Sequence, residues 1–155
     1  MLYFGYGMNT NIESMAGRCP GAESLGHAVL PEHEFLFKAF ADVIPNTEKS
    51  VQGVLWHINA EHLKSLDALE GYPVMYDRGV MPVYHNDQIV YAWTYFMSTY
   101  TRWGAPSDGY VQMLRDGYAA HGVPQNQIDD ALKEHQDNRY FDYCYDLDMG
   151  PHWLR

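Results

Sequence analysis

The spacing of apolar residues changes three times along the 155-residue chain, and this pattern constrains the fold more than any other feature. Residues 2–6 form a short apolar run, and residues 51–58 place apolar side chains at alternate positions, as β-strands do. Residues 60–69 instead repeat leucine at helical spacing, and helical spacing returns after Gly104. Strands, one helix, a hairpin and further helices predict an α+β fold. A mixed sheet curled towards a barrel fits this order, because a small set of strands must cover its edges.

Turn and cap residues predict where these elements begin and end. Residues 28–41 are predicted to form one or two strands, and residues 45–50 a loop. Residues 77–84 and 89–97 should pair as a hairpin through the polar residues between them. Helices are expected over residues 12–16, 60–69 and 124 to about 136, with Asn59 as the N-cap of the second. A further helix should follow Ser107, its N-cap, with apolar residues at helical spacing as far as Tyr118.

Composition limits the class of protein and its partners. Ten Lys and Arg against 20 Asp and Glu give a net charge of −10, which argues against nucleic acid as a partner. Aromatic residues make up 15% of the chain and charged residues only 19%, so the chain can bury a core. One domain is predicted over residues 1–137, followed by an aromatic tail over residues 138–155 that packs on the domain or on a partner.

The cysteines and the apolar runs indicate the compartment. Cys19 and Cys144 form no CxxC pair, so a reduced compartment is the simplest interpretation, although a single disulfide stays open. The start of the sequence does not resemble a signal peptide, and no stretch approaches the ~20 apolar residues that cross a bilayer. The sequence therefore predicts a cytoplasmic protein with no membrane partner.

Common catalytic signatures are missing from this sequence. It contains no phosphate-binding GxxxxGK[ST], no dinucleotide-binding GxGxxG, no HExxH and no GxSxG. Eight histidines are present, but Glu32 and His33 would point to opposite faces of a strand, which spoils a shared metal site. We therefore predict neither a metal nor a cofactor.

Two features could carry chemistry. Residues 5–9 form a glycine-rich turn between a strand and a helix, where free backbone amides can hold an anion; an ordinary turn is the alternative. Glu70 follows Leu69 at the end of a predicted helix, among apolar and aromatic residues. Burial and the helix dipole would both raise its pKa towards that of a general acid/base; an ordinary surface residue is the alternative. Asp67 is expected on the exposed side of this helix.

Three blocks of the sequence resemble the γ-glutamyl cyclotransferase-like (AIG2-like) family. Residues 3–9 read YFGYGMN and are similar to the family's YFAYGSN. Residues 53–56 and 66–71 read GVLW and LDALEG, similar to GVVW and LDxxEG. Residues 106–110 and 122–124 read PSDGY and GVP, similar to PSxxY and GLP.

The resemblance implies a small mixed β-barrel with flanking helices and a cofactor-independent enzyme of the lyase or acyltransferase class. It would cyclise a small-molecule γ-glutamyl substrate to 5-oxoproline and release an amine. By residue-to-residue correspondence Glu70 is the general acid/base. The substrate-binding residues implied are Tyr6, Gly7, Met8, Asn9, Tyr76 and Tyr110, and Arg18 could add positive charge.

The sequence departs from the family pattern at Met8, where the family usually has serine. The change removes a hydroxyl donor but leaves the backbone amide in place. An alternative is therefore a non-catalytic module that kept the fold and the pocket and binds a small molecule or a protein. The amine half of the substrate and the oligomeric state stay open.

Overall fold

A computed structural model describes residues 1–98 and 104–137. Its strands are β1 (Leu2–Gly5), β2 (Glu23–Lys38), β3 (Phe40–His57), β4 (Tyr76–His85) and β5 (Gln88–Met97). Its helices are α1 (Ile12–Arg18), α2 (Ala60–Glu70), α3 (Asp108–Ala120) and α4 (Asn126–Asp137), with a 3-10 turn at Met8–Thr10.

The strands close into a barrel in the order β1-β3-β2-β4-β5. Neighbouring strands are antiparallel except β1 and β5, which meet in parallel where Tyr3 lies opposite Trp93. The predicted α+β fold with a mixed barrel and flanking helices is thus confirmed. Closure gives every described strand a neighbour on both sides, which removes free sheet edges.

The predicted loop over residues 45–50 is wrong, because these residues belong to β3. This strand forms a long hairpin with β2, in which Pro45 lies opposite His33 and Ser50 opposite Pro31. The pairing register shifts between Pro31 and His33, as at a β-bulge, and the intervening Glu32 has a φ of 58°. Residues 45–50 are mostly polar because this part of the strand faces solvent, not because it is a loop. Their extended backbone conformation is set by pairing with β2.

The predicted hairpin is confirmed as β4 and β5, which pair from Tyr76 opposite Met97 to His85 opposite Gln88. The two residues between them, Asn86 and Asp87, have φ values of 48° and 62°. Positive φ at both central positions matches the right-handed twist of the strands, and Asn and Asp tolerate it better than most residues.

Polar caps begin the helices as expected. The Asn59 side chain accepts a hydrogen bond from the His62 amide, and the His62 ring accepts one from the Asn59 amide. Gly71 ends α2 with a φ of 65°, a left-handed conformation that glycine adopts without a steric penalty. The caps at the two ends of α2 therefore fix the position of Glu70, its last residue.

Helix α3 packs directly on the turn that follows β1. The backbone of Gly117 comes so close that an added Cβ would lie 2.3 Å from Thr10 Oγ1. One residue further on, the buried Tyr118 hydroxyl donates to the Tyr6 carbonyl oxygen at 2.6 Å. The turn is therefore held in place by α3, a helix that lies more than a hundred residues later in the chain.

The predicted aromatic tail over residues 138–155, including Cys144, lies outside the described residues. Cys19 is buried and its thiol is free. None of the helices that the structure describes is long and apolar enough to cross a membrane.

Candidate active site

All of the predicted site residues line one cavity of about 400 Å³ at an end of the barrel. The turn after β1 supplies Tyr6, Gly7, Met8 and Asn9; the end of α2 supplies Glu70. Strand β4 contributes Tyr76 and helix α3 contributes Tyr110. The remaining lining residues are Tyr3, Arg18, Phe40, Ala41, Leu69, Met75 and Tyr95.

Asn9 links the glycine turn to Glu70. Its Nδ2 donates to Glu70 Oε1 at 3.1 Å and to the Tyr3 hydroxyl oxygen at 2.9 Å. Its Oδ1 accepts from Arg18 Nη1 at 2.5 Å, so the amide orientation is fixed from both sides. The carboxylate therefore lies across the cavity from the turn, within hydrogen-bond reach of it.

The surroundings of Glu70 favour its protonated form. Burial raises the pKa of this carboxyl from 4.5 to about 7, although the Arg18 charge and the hydrogen bond from Asn9 oppose the rise. A carboxyl with a pKa near 7 can both accept and release a proton at neutral pH. The predicted upward shift agrees with this geometry, with burial as its main cause.

We expect Arg18→Gln to raise the pKa of Glu70 above about 7, because the guanidinium charge lowers it in the wild type. NMR titration of the glutamate side-chain carboxyl carbons measures this directly. Lys64→Gln is the matched control: Lys64 lies exposed on α2 beside Glu61, and its loss should leave the Glu70 titration unchanged. An unchanged or lower pKa in Arg18→Gln would contradict the electrostatic link.

The hydroxyls of Tyr76 and Tyr110 both bond the backbone of Ala41, with opposite polarity. Tyr76 donates to the Ala41 carbonyl oxygen at 2.8 Å, whereas the Tyr110 oxygen accepts from the Ala41 amide at 2.9 Å. Burial raises the pKa of both phenols, which keeps them neutral. The Tyr110 hydroxyl can therefore still donate a hydrogen bond to a ligand. The Tyr76 hydroxyl already donates its proton to Ala41, so its oxygen can only accept one.

The glycine turn brings backbone close to the cavity. An added Cβ on Gly7 would lie 3.1 Å from both the Ala41 Cβ and the Tyr110 hydroxyl. The Gly7 carbonyl accepts from the amide and the hydroxyl of Thr10, which is the first hydrogen bond of the 3-10 turn. The amides of Met8 and Asn9 precede that bond, so the turn's own hydrogen bonding does not use them.

Asp67 is not on the exposed side of α2, so this prediction is wrong. Its carboxylate is half-buried, accepts from Arg78 Nε at 2.7 Å and from the Tyr95 hydroxyl at 2.6 Å. The Arg78 guanidinium lies over the rings of Tyr72 and Trp93, each centroid 4.4 Å away. One turn before Glu70, Asp67 thus ties α2 to strands β4 and β5.

Sequence reasoning missed several residues of the cavity. Tyr3 lies inside the YFGYGMN block and could have been found from it, because it shares a strand with the turn. Leu69 and Met75 were recognised as apolar neighbours of Glu70 but not as cavity residues. Phe40 gave no signal, since isolated apolar residues near turns are common on surfaces. Tyr95 reaches the cavity only through barrel closure.

A larger groove of about 730 Å³ lies between the β2–β3 hairpin and α4. It is lined mostly by polar residues and contains none of the predicted site residues. Lys49 there is paired with Glu34 and Glu134. Among the residues that the structure describes, no group of three His, Cys, Asp or Glu side chains is arranged to hold a metal ion.

Comparison with known proteins connects the sequence and the fold to one family. The family model described as gamma-glutamyl cyclotransferase, AIG2-like, matches residues 3–113. A solved structure named gamma-glutamyl cyclotransferase shares 25% sequence identity, with a TM-score of 0.74 and 86% of each chain covered. An uncharacterised human protein shares 26% identity, with a TM-score of 0.73 and 85% of each chain covered.

A more distant structure shows the fold alone. The yeast protein named a gamma-glutamyl cyclotransferase specific to glutathione is 11% identical, with a TM-score of 0.56, and the alignment covers 86% of this chain and 96% of the yeast chain. No curated protein matches the sequence significantly.

Proposed function

Because the chain belongs to the gamma-glutamyl cyclotransferase, AIG2-like family, we propose that it is an enzyme that cyclises a γ-glutamyl group to 5-oxoproline and releases an amine. The observation that carries this proposal is the position of Glu70. This carboxyl has a pKa of about 7 and faces the glycine turn across one cavity, joined to it by Asn9.

The proposed reaction is an intramolecular acyl transfer. The α-amine nitrogen attacks the side-chain amide carbonyl, a new C–N bond closes the five-membered ring, and the old amide C–N bond breaks. The α-nitrogen has three N–H bonds as an ammonium and one in the lactam, so it loses two protons. The departing nitrogen gains two protons and leaves as an ammonium. No water, metal or organic cofactor is needed to balance this step.

Glu70 would carry a proton from one nitrogen to the other. Ionised, it takes a proton from the α-ammonium; protonated, it gives that proton to the departing nitrogen. A pKa of about 7 leaves both forms well populated at neutral pH, so one residue can serve both steps. Asn9 Nδ2 holds the carboxylate oxygen in place at 3.1 Å.

The two tyrosines would recognise the two ends of the glutamyl group differently. Tyr110 retains a hydroxyl proton, so it suits a carboxylate, whereas the Tyr76 oxygen can only accept and so suits an ammonium. The amides of Met8 and Asn9 would hold the α-carboxylate or the oxyanion that develops on the attacked carbonyl. A backbone amide serves this purpose whether residue 8 is methionine or serine.

The shape of the cavity would supply much of the acceleration. Ring closure joins two ends of one molecule. A cavity that binds the glutamyl chain in a bent conformation therefore holds the amine nitrogen close to the carbonyl carbon that it attacks. The aromatic side chains at the base of the cavity are almost completely buried, Tyr3 being 3% and Tyr6 6% exposed. They exclude bulk water from the carbonyl under attack.

The activity test is release of 5-oxoproline from a panel of γ-glutamyl amides and γ-glutamyl amino acids, followed by chromatography. We expect the wild-type protein to release 5-oxoproline and the free amine in equal amounts from at least one of them. Absence of release from the whole panel would overturn the enzyme proposal. Binding without turnover would then favour the non-catalytic module.

A further inference from the structure

The cavity changes in chemical character from its base to its mouth. At the base lie the groups proposed to hold the glutamyl group, namely Tyr76, Tyr110 and the turn that contains Asn9, and these three residues are at most 9% exposed. At the mouth, Phe40 and Leu69 are 44% and 43% exposed, although both line the same cavity. A molecule that enters thus meets an apolar rim first and polar groups last.

This gradient orients the substrate of the proposed function, on which the present inference rests. The glutamyl group carries an ammonium, a carboxylate and the reacting amide, and all three need the polar partners at the base. The amine half is joined to the reacting amide on the opposite side. It must therefore extend towards the mouth, between Phe40 and Leu69.

The charges around the cavity disfavour a charged amine half. Among the described lining residues, the charged side chains are Glu70 and Arg18. Glu70 is engaged by Asn9 and would carry the proton, so the lining residues that the structure describes offer no second carboxylate to a distant ammonium. Arg18 already donates to Asn9 Oδ1 at 2.5 Å and contacts Met8 Sδ, so it faces the base rather than the rim.

Met8 adds to the apolar wall. Its side chain lines the cavity and packs against the core. Its sulfur accepts from Arg18 Nη2 at 2.7 Å, whereas the carbon atoms of this flexible side chain form an apolar surface that adapts to different shapes. It therefore increases the contact area for carbon and offers little to a polar group.

We propose that the amine half of the substrate is apolar and uncharged, and that Phe40, Leu69 and Met8 select it. The favoured substrates are γ-glutamyl derivatives of aliphatic or aromatic amines. Derivatives with a charged amine half are disfavoured. In γ-glutamyl-ε-lysine that half carries an ammonium and a carboxylate, and removing these charges from water at an apolar rim costs free energy.

The test compares kcat/KM for γ-glutamyl-n-butylamide, γ-glutamyl-methylamide and γ-glutamyl-ε-lysine. We expect the butylamide to exceed the methylamide by roughly tenfold, since three further methylenes leave water at a half-buried rim. It should exceed γ-glutamyl-ε-lysine by at least as much. In Leu69→Ser the ratio of butylamide to methylamide should fall several-fold.

Val74→Ser is the matched control, because Val74 is a 78% exposed apolar residue close in sequence that does not line the cavity. The ratio should be unchanged in this variant. Turnover with equal or reversed preference between the butylamide and γ-glutamyl-ε-lysine would overturn the inference and leave the proposed function standing.

Binding of the same three compounds, measured by calorimetry, separates the two proposals further. If neither these compounds nor the rest of the panel is turned over, but the butylamide binds about tenfold tighter than the methylamide, the enzyme proposal fails and the apolar selectivity stands. Equal binding of all three, or none, together with no turnover, would overturn both.

Discussion

Glu70→Gln is expected to reduce 5-oxoproline release at pH 7 by roughly 10²–10⁴-fold, the range that a positioned general acid/base contributes. Glutamine keeps the oxygen that accepts from Asn9 Nδ2, so the cavity should retain its shape. What is lost is the ability to take up and return a proton. Steady-state kinetics with the best substrate of the panel measures the change, which should fall on kcat rather than on KM.

The same substitution has an opposite effect on stability. The folded-state pKa of Glu70 is about 7, above its ordinary value of 4.5, so the folded protein holds this proton more tightly than the unfolded chain. Stability from this group is therefore complete below pH 4.5 and is lost as the pH rises through 7. Glu70→Gln cannot ionise, so it should be more stable than the wild type by on the order of 2 kcal/mol at pH 8, and nearly equal to it at pH 4.5.

Glu61→Gln is the matched control for both effects, because Glu61 begins the same helix with its side chain 80% exposed. It should change neither the rate nor the pH dependence of stability. Residual activity in Glu70→Gln within a few-fold of wild type would exclude Glu70 as the proton carrier. A stability difference that does not grow with pH would contradict its raised pKa.

Gly117→Ala is expected to destabilise the protein by about 3 kcal/mol, at the upper end for an overpacked core. The new methyl group would lie 2.3 Å from Thr10 Oγ1 and 2.6 Å from the Thr10 carbonyl carbon. Backbone occupies that space, so the helix or the turn has to move. Thermal unfolding should show a Tm lowered by roughly 6–12 °C, which follows from the entropy of unfolding of a domain this size.

The control for this prediction lies on the same helix. A Cβ on Gly109 would meet nothing within 4 Å, so Gly109→Ala should leave stability unchanged or raise it by up to about 1 kcal/mol. Equal Tm values for the two variants would show that α3 does not pack on the turn as closely as described. Because Thr10 holds the Gly7 carbonyl, the folded fraction of Gly117→Ala should also lose activity.

Local signals made most of the fold predictable. Asn59 and Gly71 delimit α2 through cap chemistry that depends on a few neighbouring residues, and Asn86 with Asp87 produces the β4–β5 turn in the same way. Residues 45–50 were misassigned because their conformation depends on pairing with β2, and composition carries no trace of that pairing.

The candidate site was predictable in part, and mainly through the resemblance to a family. Resemblance to a family brought together the glycine turn, Glu70, Tyr76 and Tyr110, and the structure places all of them around one cavity. Nothing in the spacing of residues could show that Asp67 turns towards Arg78, or that Phe40 forms part of the rim. Both depend on strands brought together by the closing of the barrel.

The hydrogen bond from Tyr118 to the Tyr6 carbonyl joins residues 112 positions apart, and it has a consequence for synthesis of the chain. A ribosome makes the turn around residues 6–9 long before it makes α3. This hydrogen bond therefore cannot form until α3 has emerged from the ribosome. Contacts of such long sequence separation form late in folding, because the intervening chain must first be ordered. A nascent chain that stops before α3 should therefore hold Glu70 without the fixed turn opposite it, so the cavity is completed only after α3 has folded.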